Sequence, residues 1–222
     1  MAIKKKDLRN ADGWRKALEN LPDSYKEWFK EEKEFFNKNI RKDASILEVG
    51  CGEGRSIHDL IEITENITGL DIDAKSIENA KNSFVNHSQI KFIVGDANSL
   101  PFDKGSFDYV LCIGTFANFG EEKFKVLEEM KRVLKKDGKI IISVYSDEAL
   151  QERLALYNKL NFNIKRVENS GIVTVIFDDF NTEGISEQFS EKELREIASK
   201  VNLKVDKIIK TSNKIGYLCV FS

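Results

Sequence analysis

The sequence predicts a doubly wound α/β domain, a parallel sheet with helices on both faces, and three observations carry that prediction. From about residue 44 onward, short apolar runs alternate with stretches of helical period. The first run closes on a glycine-rich turn, Gly50-Cys51-Gly52-Glu53-Gly54. The end of the chain changes character: a helix precedes two β-rich runs that should pair as a hairpin, adding one antiparallel strand to the sheet.

The elements follow in order. Residues 44–50 (ASILEVG) read as a buried strand ending in glycine. Residues 55–64 carry Ile57, Leu60, Ile61 and Thr64 on one face, a helical spacing. Residues 66–71 (NITGLD) are the second strand, followed by a helix over 74–85. Residues 89–94 (QIKFIV) and 107–113 (FDYVLCI) are the third and fourth strands. A helix over 121–134 turns Phe124, Leu127, Met130 and Leu134 inward, with Asp137-Gly138 as its stop. Residues 139–145 (KIIISVY) make the fifth strand. Ser190 and Glu193 form a capping box at the head of a helix over 190–200. The closing hairpin pairs 203–210 with 215–221 through Ser212-Asn213-Lys214.

Two segments lie outside this core. Residues 14–40 are helical and aromatic, with Trp14, Tyr25, Trp28, Phe29, Phe35 and Phe36. Residues 147–189 form an insertion, with a helix over 148–160 and a small hairpin, 164–167 with 172–177, turning at Asn169-Ser170-Gly171.

Composition narrows the function classes. Of 222 residues, 41% are hydrophobic and 32% charged, as in an ordinary globule. No apolar run approaches the roughly 18 residues that span a bilayer. The start of the chain has basic residues with no apolar stretch behind them, so a cytoplasmic location is expected. Lys4, Lys5 and Lys6 read as a solvated tail. Basic and acidic residues number 35 and 37, without the basic excess of a phosphate-tracking domain. Three scattered cysteines, Cys51, Cys112 and Cys219, fit reduced thiols, and two histidines give little material for a zinc site.

Ligands of open α/β sheets bind beyond the carboxyl ends of the strands, where the strand order reverses. The loop there reads Glu48-Val49-Gly50-Cys51-Gly52-Glu53-Gly54-Arg55. Its glycines permit tight turning and close approach of the backbone to a ligand. A dinucleotide fingerprint would need a third glycine where Arg55 stands. A carboxylate just before the turn suits an ammonium group better than a pyrophosphate. Asp71 ends the second strand, where an acid can accept from both ribose hydroxyls. The third strand ends in Gly95-Asp96-Ala97, a further polar step along the same crevice.

The segments ILEVGCGEGR (46–55), GLDID (69–73), GDANSLPF (95–102) and FDYVLCIGTF (107–116) together resemble the successive motifs of the class I S-adenosylmethionine (SAM)-dependent methyltransferases. The likeness is to the branch that includes small-molecule and ubiquinone/menaquinone-biosynthesis-type enzymes. It covers residues 40–145, and 190–222 fit the family's closing strand pair. The resemblance implies a Rossmann-like seven-stranded sheet in the order 3-2-1-4-5-7-6, strand 7 antiparallel. It divides one domain into a helical cap (1–40), a cofactor-binding core (41–146), a substrate-side insertion (147–189) and the last helix and hairpin (190–222).

It also implies a site. Gly50, Cys51 and Gly52 would line the methionine part of SAM, with Glu48 positioning its amino group. Asp71 would hold the ribose, Ile72 pack on the adenine, and Asp96 bond the adenine amine beside the Ala97 backbone. Cys112 and Ile113 would close over the methionine, and Tyr25 and Trp28 would cover the cofactor. The product would be S-adenosylhomocysteine (SAH). Phe116, Tyr145 and Asp147 are candidates for facing the acceptor. No catalytic residue and no metal ligand is assigned, because methyl transfer from a sulfonium is an in-line displacement that alignment alone can drive.

Other roles for these residues are ordinary. Asp73 reads as a helix N-cap and Asp108 as structural. Cys51 reads as a small loop residue. Cys112 lacks the proline neighbours of a nucleophilic cysteine, and no (D/N)PP(Y/F) turn follows the fourth strand. His58 and His87 read as structural or solvated. A small-molecule acceptor is expected, with no membrane partner, and the chain as a monomer or homodimer. A tRNA or protein acceptor, a non-catalytic SAM- or SAH-binding module acting through a partner, and aminopropyl transfer stand as alternatives.

Overall fold

Seven strands form one sheet whose order is β3-β2-β1-β4-β5-β10-β9. They are β1 (Ile46–Val49), β2 (Ile67–Asp71), β3 (Lys91–Val94), β4 (Phe107–Ile113), β5 (Leu134–Tyr145), β9 (Val205–Lys210) and β10 (Gly216–Phe221). The structure, a computed structural model, describes residues 21–222 except 170, 180 and 181. Expectations for Lys4, Lys5, Lys6, Trp14 and Ser170 fall outside the described residues.

The central strands pair in parallel, Leu47 with Thr68 and with Val110, while β10 runs antiparallel to β5, Leu218 opposite Ser143. This is the expected order, with β9 and β10 as the closing pair. β1 is buried throughout, as a parallel strand covered on both faces must be. Alternation splits the core between the two faces. Ile140 and Ile142 pack with the first cluster, which includes Leu47, Val110, Leu127 and Leu194, while Ile141 packs with Ile46, Leu60, Ile77 and Leu111.

The helices are α1 (Asp23–Asn39), α2 (Ile57–Leu60), α3 (Ala74–Ser83), α4 (Lys123–Val133), α5 (Leu150–Lys159) and α6 (Glu191–Lys200). α1 buries Tyr25, Trp28, Glu32, Phe35 and Phe36. Asp73 caps α3 by accepting from the Lys75 and Ser76 amides, and the Ser190–Glu193 capping box opens α6.

Three elements differ from expectation. The helix after β1 is a single turn rather than 55–64. The Thr64 hydroxyl donates to Ala44 O and accepts from the Asn66 amide, bending the chain back toward β2. The fourth expected helix stops at Val133, and Asp137-Gly138 sit inside β5. Phe107 pairs with Leu134 but Tyr109 with Lys139, so 135–138 form a bulge. Gly138 fits there because a Cβ would meet Asp108 O at 2.7 Å.

The insertion holds a three-stranded antiparallel sheet rather than a hairpin: β6 (Ile164–Asn169), β7 (Val173–Asp179) and β8 (Thr182–Gln188). The sequence TEGISEQ hides β8 because it has almost no apolar alternation. Its burial comes from contact with the segment after β4. Lys123 and Glu187 form a buried ion pair at 3.0 Å, and Ile185 packs on Gly120.

Candidate cofactor and acceptor site

A cavity of about 670 Å³ opens at the carboxyl ends of β1, β2 and β4. The glycine loop forms its floor with Gly50, Cys51 and Gly52, and the β2 end gives Asp71, Ile72 and Asp73. Asp96, Ala97 and Asn98 follow β3, and Ile113, Gly114 and Thr115 follow β4. Tyr25, Trp28, Phe29 and Glu32 of α1 cover one side, with Tyr145, Phe119 and Glu122 also on the wall.

The loop is held open by backbone geometry. Gly50 takes φ +75°, and the amides of Gly50 and Cys51 both donate to Leu70 O, at 2.7 and 3.1 Å. A Cβ on Gly50 would lie 2.4 Å from the Thr115 side chain, whose hydroxyl donates to Gly50 O. Gly52, at φ +53°, has open space where a Cβ would point.

The Asp71 carboxylate ties this floor to the next strand. One oxygen accepts from the Gly52 amide at 2.8 Å and the other from the Asp73 amide at 2.9 Å. Burial raises its pKa, and those two amides oppose the rise. Beside it, Ile72 is 70% exposed, an apolar face turned out onto the cavity wall. Asp96 is exposed, and one of its oxygens accepts from the Asn98 amide at 2.8 Å.

Under the loop, Glu48 is buried and accepts from the Ser56 hydroxyl, while its Oε2 has no partner. Burial raises its pKa to about 7, against the pull of Ser56 and Arg55. A second buried acid, Glu32, faces the Arg55 guanidinium at 2.8 Å, and Arg55 lies over the Phe29 ring at 3.9 Å. Ser143 links Glu32 to the sheet: its hydroxyl donates to Glu32 and accepts from the Trp28 indole at 3.1 Å. Trp28 packs so closely on Gly216 that a Cβ there would lie 2.4 Å from the indole. These contacts clamp α1 across the cavity.

The cavity thus brings together Tyr25, Trp28, Gly50, Cys51, Gly52, Asp71, Ile72, Asp96, Ala97 and Ile113. Glu48 and Cys112 lie behind its wall. Cys112 is fully buried, and burial pushes its thiol far above the usual range, so it stays protonated. Tyr145 lines the cavity, whereas Phe116 packs in the core against Phe119 and Phe189, and Asp147 pairs with Lys210 at 3.1 Å. His58 lies on the rim and stacks on Phe84 at 4.2 Å; burial lowers its pKa. His87 pairs with Glu65. Asp108 holds Ser45, Arg41 and Lys135 together, a structural role. Glu32, Arg55, Ser143 and Thr115 escaped sequence reasoning. The available signal was an acid one helical turn after Trp28, with an arginine where a third glycine would stand.

Residues 47–142 match a protein family described as a methyltransferase domain. An uncharacterized protein of Methanocaldococcus jannaschii is 27% identical over 208 residues, covering 89% of this chain and 78% of that one. The demethylmenaquinone methyltransferase of Staphylococcus aureus is 32% identical over 126 residues, covering 54% of this chain and 52% of that enzyme. The chain therefore spans about half that relative's length. Among solved structures, a SAM-dependent methyltransferase of Methanosarcina mazei has TM-score 0.64 at 23% identity, covering 84% of this chain and 95% of that one, a likeness of fold. The family match starts inside β1 and stops inside β5, the stretch that builds the cavity's loops, and over those residues the chain is similar to the methyltransferase-domain family.

Proposed function

We propose that this protein binds SAM in the cavity and transfers its methyl group to a small metabolite in the cytoplasm, releasing SAH. The observation that carries the reading is the Asp71 carboxylate, lining the cavity and fixed to the Gly52 amide at 2.8 Å, beside a glycine with open space before it. The donor set fits such a cofactor. Glu48, buried under the loop, has an oxygen with neither a hydrogen bond nor an ion pair among the described residues, a demand that an ammonium group meets.

Asp71 would accept from the ribose hydroxyls, Asp96 from the adenine amine beside the Ala97 backbone, and Ile72 would pack on the ring. Glu48 would favour the amino group from beneath Gly50, Cys51 and Gly52, with Ile113 closing that end and Cys112 behind it. Tyr25 and Trp28 would exclude water. When bound, the cofactor supplies an activated methyl on a sulfonium. The chain's own contribution is alignment and dryness, and a base is needed only where the acceptor must lose a proton. The insertion over 147–189 would shape the acceptor end. The demethylmenaquinone methyltransferase relative supports a small-molecule acceptor.

Calorimetric titration with SAM, with NAD as control, tests the reading. Micromolar SAM binding that weakens about tenfold or more in Asp71→Ala is expected. Folded, cofactor-free protein that ignores SAM, or binds NAD instead, overturns it.

A further inference from the structure

Four buried side-chain atoms among the described residues lack a hydrogen-bond partner, and they divide by chemistry. Two are carboxylate oxygens, that of Glu32, which has the Arg55 guanidinium as an ion-pair partner at 2.8 Å, and that of Glu48. The other two are donors, the Tyr25 hydroxyl and Arg153 Nε, and both flank the ring of Tyr145. The Tyr25 and Tyr145 ring centres lie 6.2 Å apart, edge to face, and both residues line the cavity. The Arg153 guanidinium carbon lies 4.3 Å from the centre of the Tyr145 ring.

Arg153 is fully buried on α5, yet every hydrogen bond it makes goes to a neutral acceptor. Nη1 donates to Gln188 Oε1 at 2.9 Å, and Nη2 donates to Ser186 O at 2.7 Å and to the Tyr157 hydroxyl at 3.4 Å. No carboxylate among the described residues comes within ion-pair distance of it. The only other buried cation among them, Lys123, has Glu187 at 3.0 Å. An uncompensated buried charge costs several kcal/mol, and an aromatic face and neutral acceptors offset only part of that. A cation kept this way beside a ligand cavity implies a negative charge that arrives with the ligand.

We propose that the Tyr25–Tyr145 corner of the cavity, backed by Arg153, recognises an acceptor through its carboxylate, so that the substrate class is a small organic acid. The carboxylate would take the unused Tyr25 hydroxyl as a direct donor and sit in the field of the guanidinium. It would also balance the positive charge that the sulfonium brings to the same cavity. The inference rests on the cofactor reading of the site and specifies its acceptor.

The test titrates SAH-saturated protein at fixed ionic strength with formate, acetate and benzoate, and with neutral benzamide as the matched control. At least one carboxylate should bind saturably, benzamide should not match benzoate, and Arg153→Met and Tyr25→Phe should each weaken the carboxylate about tenfold or more. Arg153→Met should keep wild-type SAH affinity, and Arg153→Lys should restore part of the carboxylate binding. If Arg153→Met does not fold, Tyr25→Phe and Arg153→Lys carry the comparison. Three results overturn the proposal: no carboxylate binds the SAH complex, benzamide binds as well as benzoate, or the variants bind carboxylate as wild type does. Failure of SAH itself to bind wild-type protein would instead remove the cofactor reading on which it rests.

Discussion

The Asp71 carboxylate holds the Gly52 amide at 2.8 Å, so the acid at the end of one strand sets the shape of the loop after its neighbour. Asp71→Asn separates the two tasks of that acid. The amide keeps one oxygen but turns a donor toward one of two backbone N–H groups, leaving it unpaired. A loss of about 1–2 kcal/mol is expected in urea unfolding, together with weaker SAH binding. Unchanged stability would mean that the amides find water and that the loop does not depend on Asp71.

Gly50 and Gly52 both take positive φ, yet they should respond differently to alanine. Both substitutions carry the left-handed penalty of about 1–2 kcal/mol. Gly50→Ala also drives a methyl into Thr115, whose Cγ2 lies 2.4 Å from the new Cβ, and breaks the fit of the β1 and β4 loops. Gly52→Ala meets nothing in the protein and puts its methyl into open space at the cavity. Thermal melts and SAH titrations of the pair should show Gly50→Ala losing the greater stability and Gly52→Ala losing affinity out of proportion to its stability.

The difference between those glycines marks what a sequence can and cannot reveal. The parallel sheet was legible because short, mostly apolar runs such as ILEV and YVLCI alternate with helical stretches, while the strand order came from the resemblance to class I SAM-dependent methyltransferases. The floor of the cavity was legible because positive φ and close approach restrict the residue types allowed. Glu32 was not legible, since an acid on an aromatic helix reads as solvated until the helix is laid over Arg55 and Ser143. β8 was hidden for the same reason, its burial decided by Lys123 and Gly120, which lie far from it in the chain. Arg153 reads as a surface residue of an amphipathic helix, and only tertiary packing shows that it is fully buried.

Glu48 should make cofactor binding pH-dependent. Burial raises its folded pKa to about 7, above the 4.5 of a free glutamate. The unfolded chain therefore loses this proton first as pH rises. The folded state binds more protons between about 4.5 and 7, and stability falls across that window by about 3 kcal/mol, then levels off. Glu48→Gln should flatten this slope. An ammonium nearby favours the ionised carboxylate, so SAH affinity should rise with pH up to about 7, with proton release at pH 6. Calorimetry in two buffers of different ionisation heat measures that release, and equal heats at pH 6 would remove Glu48 from the site.

The buried pair of Lys123 and Glu187 should fasten the insertion to the core. The ammonium donates to Glu187 and to Gly120 O, joining the start of α4 to β8. Lys123→Met leaves a buried carboxylate without its cation, at a cost of about 3–5 kcal/mol. Burial already raises the Glu187 pKa, and losing Lys123 raises it further, so the cost should be smaller at pH 5, where the carboxyl can take up a proton, than at pH 8. Adding Glu187→Leu removes the stranded charge, and the double variant should recover to within about 1 kcal/mol of wild type. Glu187 is flanked by Ser186 and Gln188, whose oxygens hold Arg153, so the single variant should also disturb the corner beside Tyr145. A double-mutant cycle by urea unfolding at both pH values measures the coupling. A coupling below about 1 kcal/mol would show a pair that water reaches, and β8 would then owe its position to backbone pairing with β7, the packing of Ile185 on Gly120 and the Arg153 hydrogen bonds.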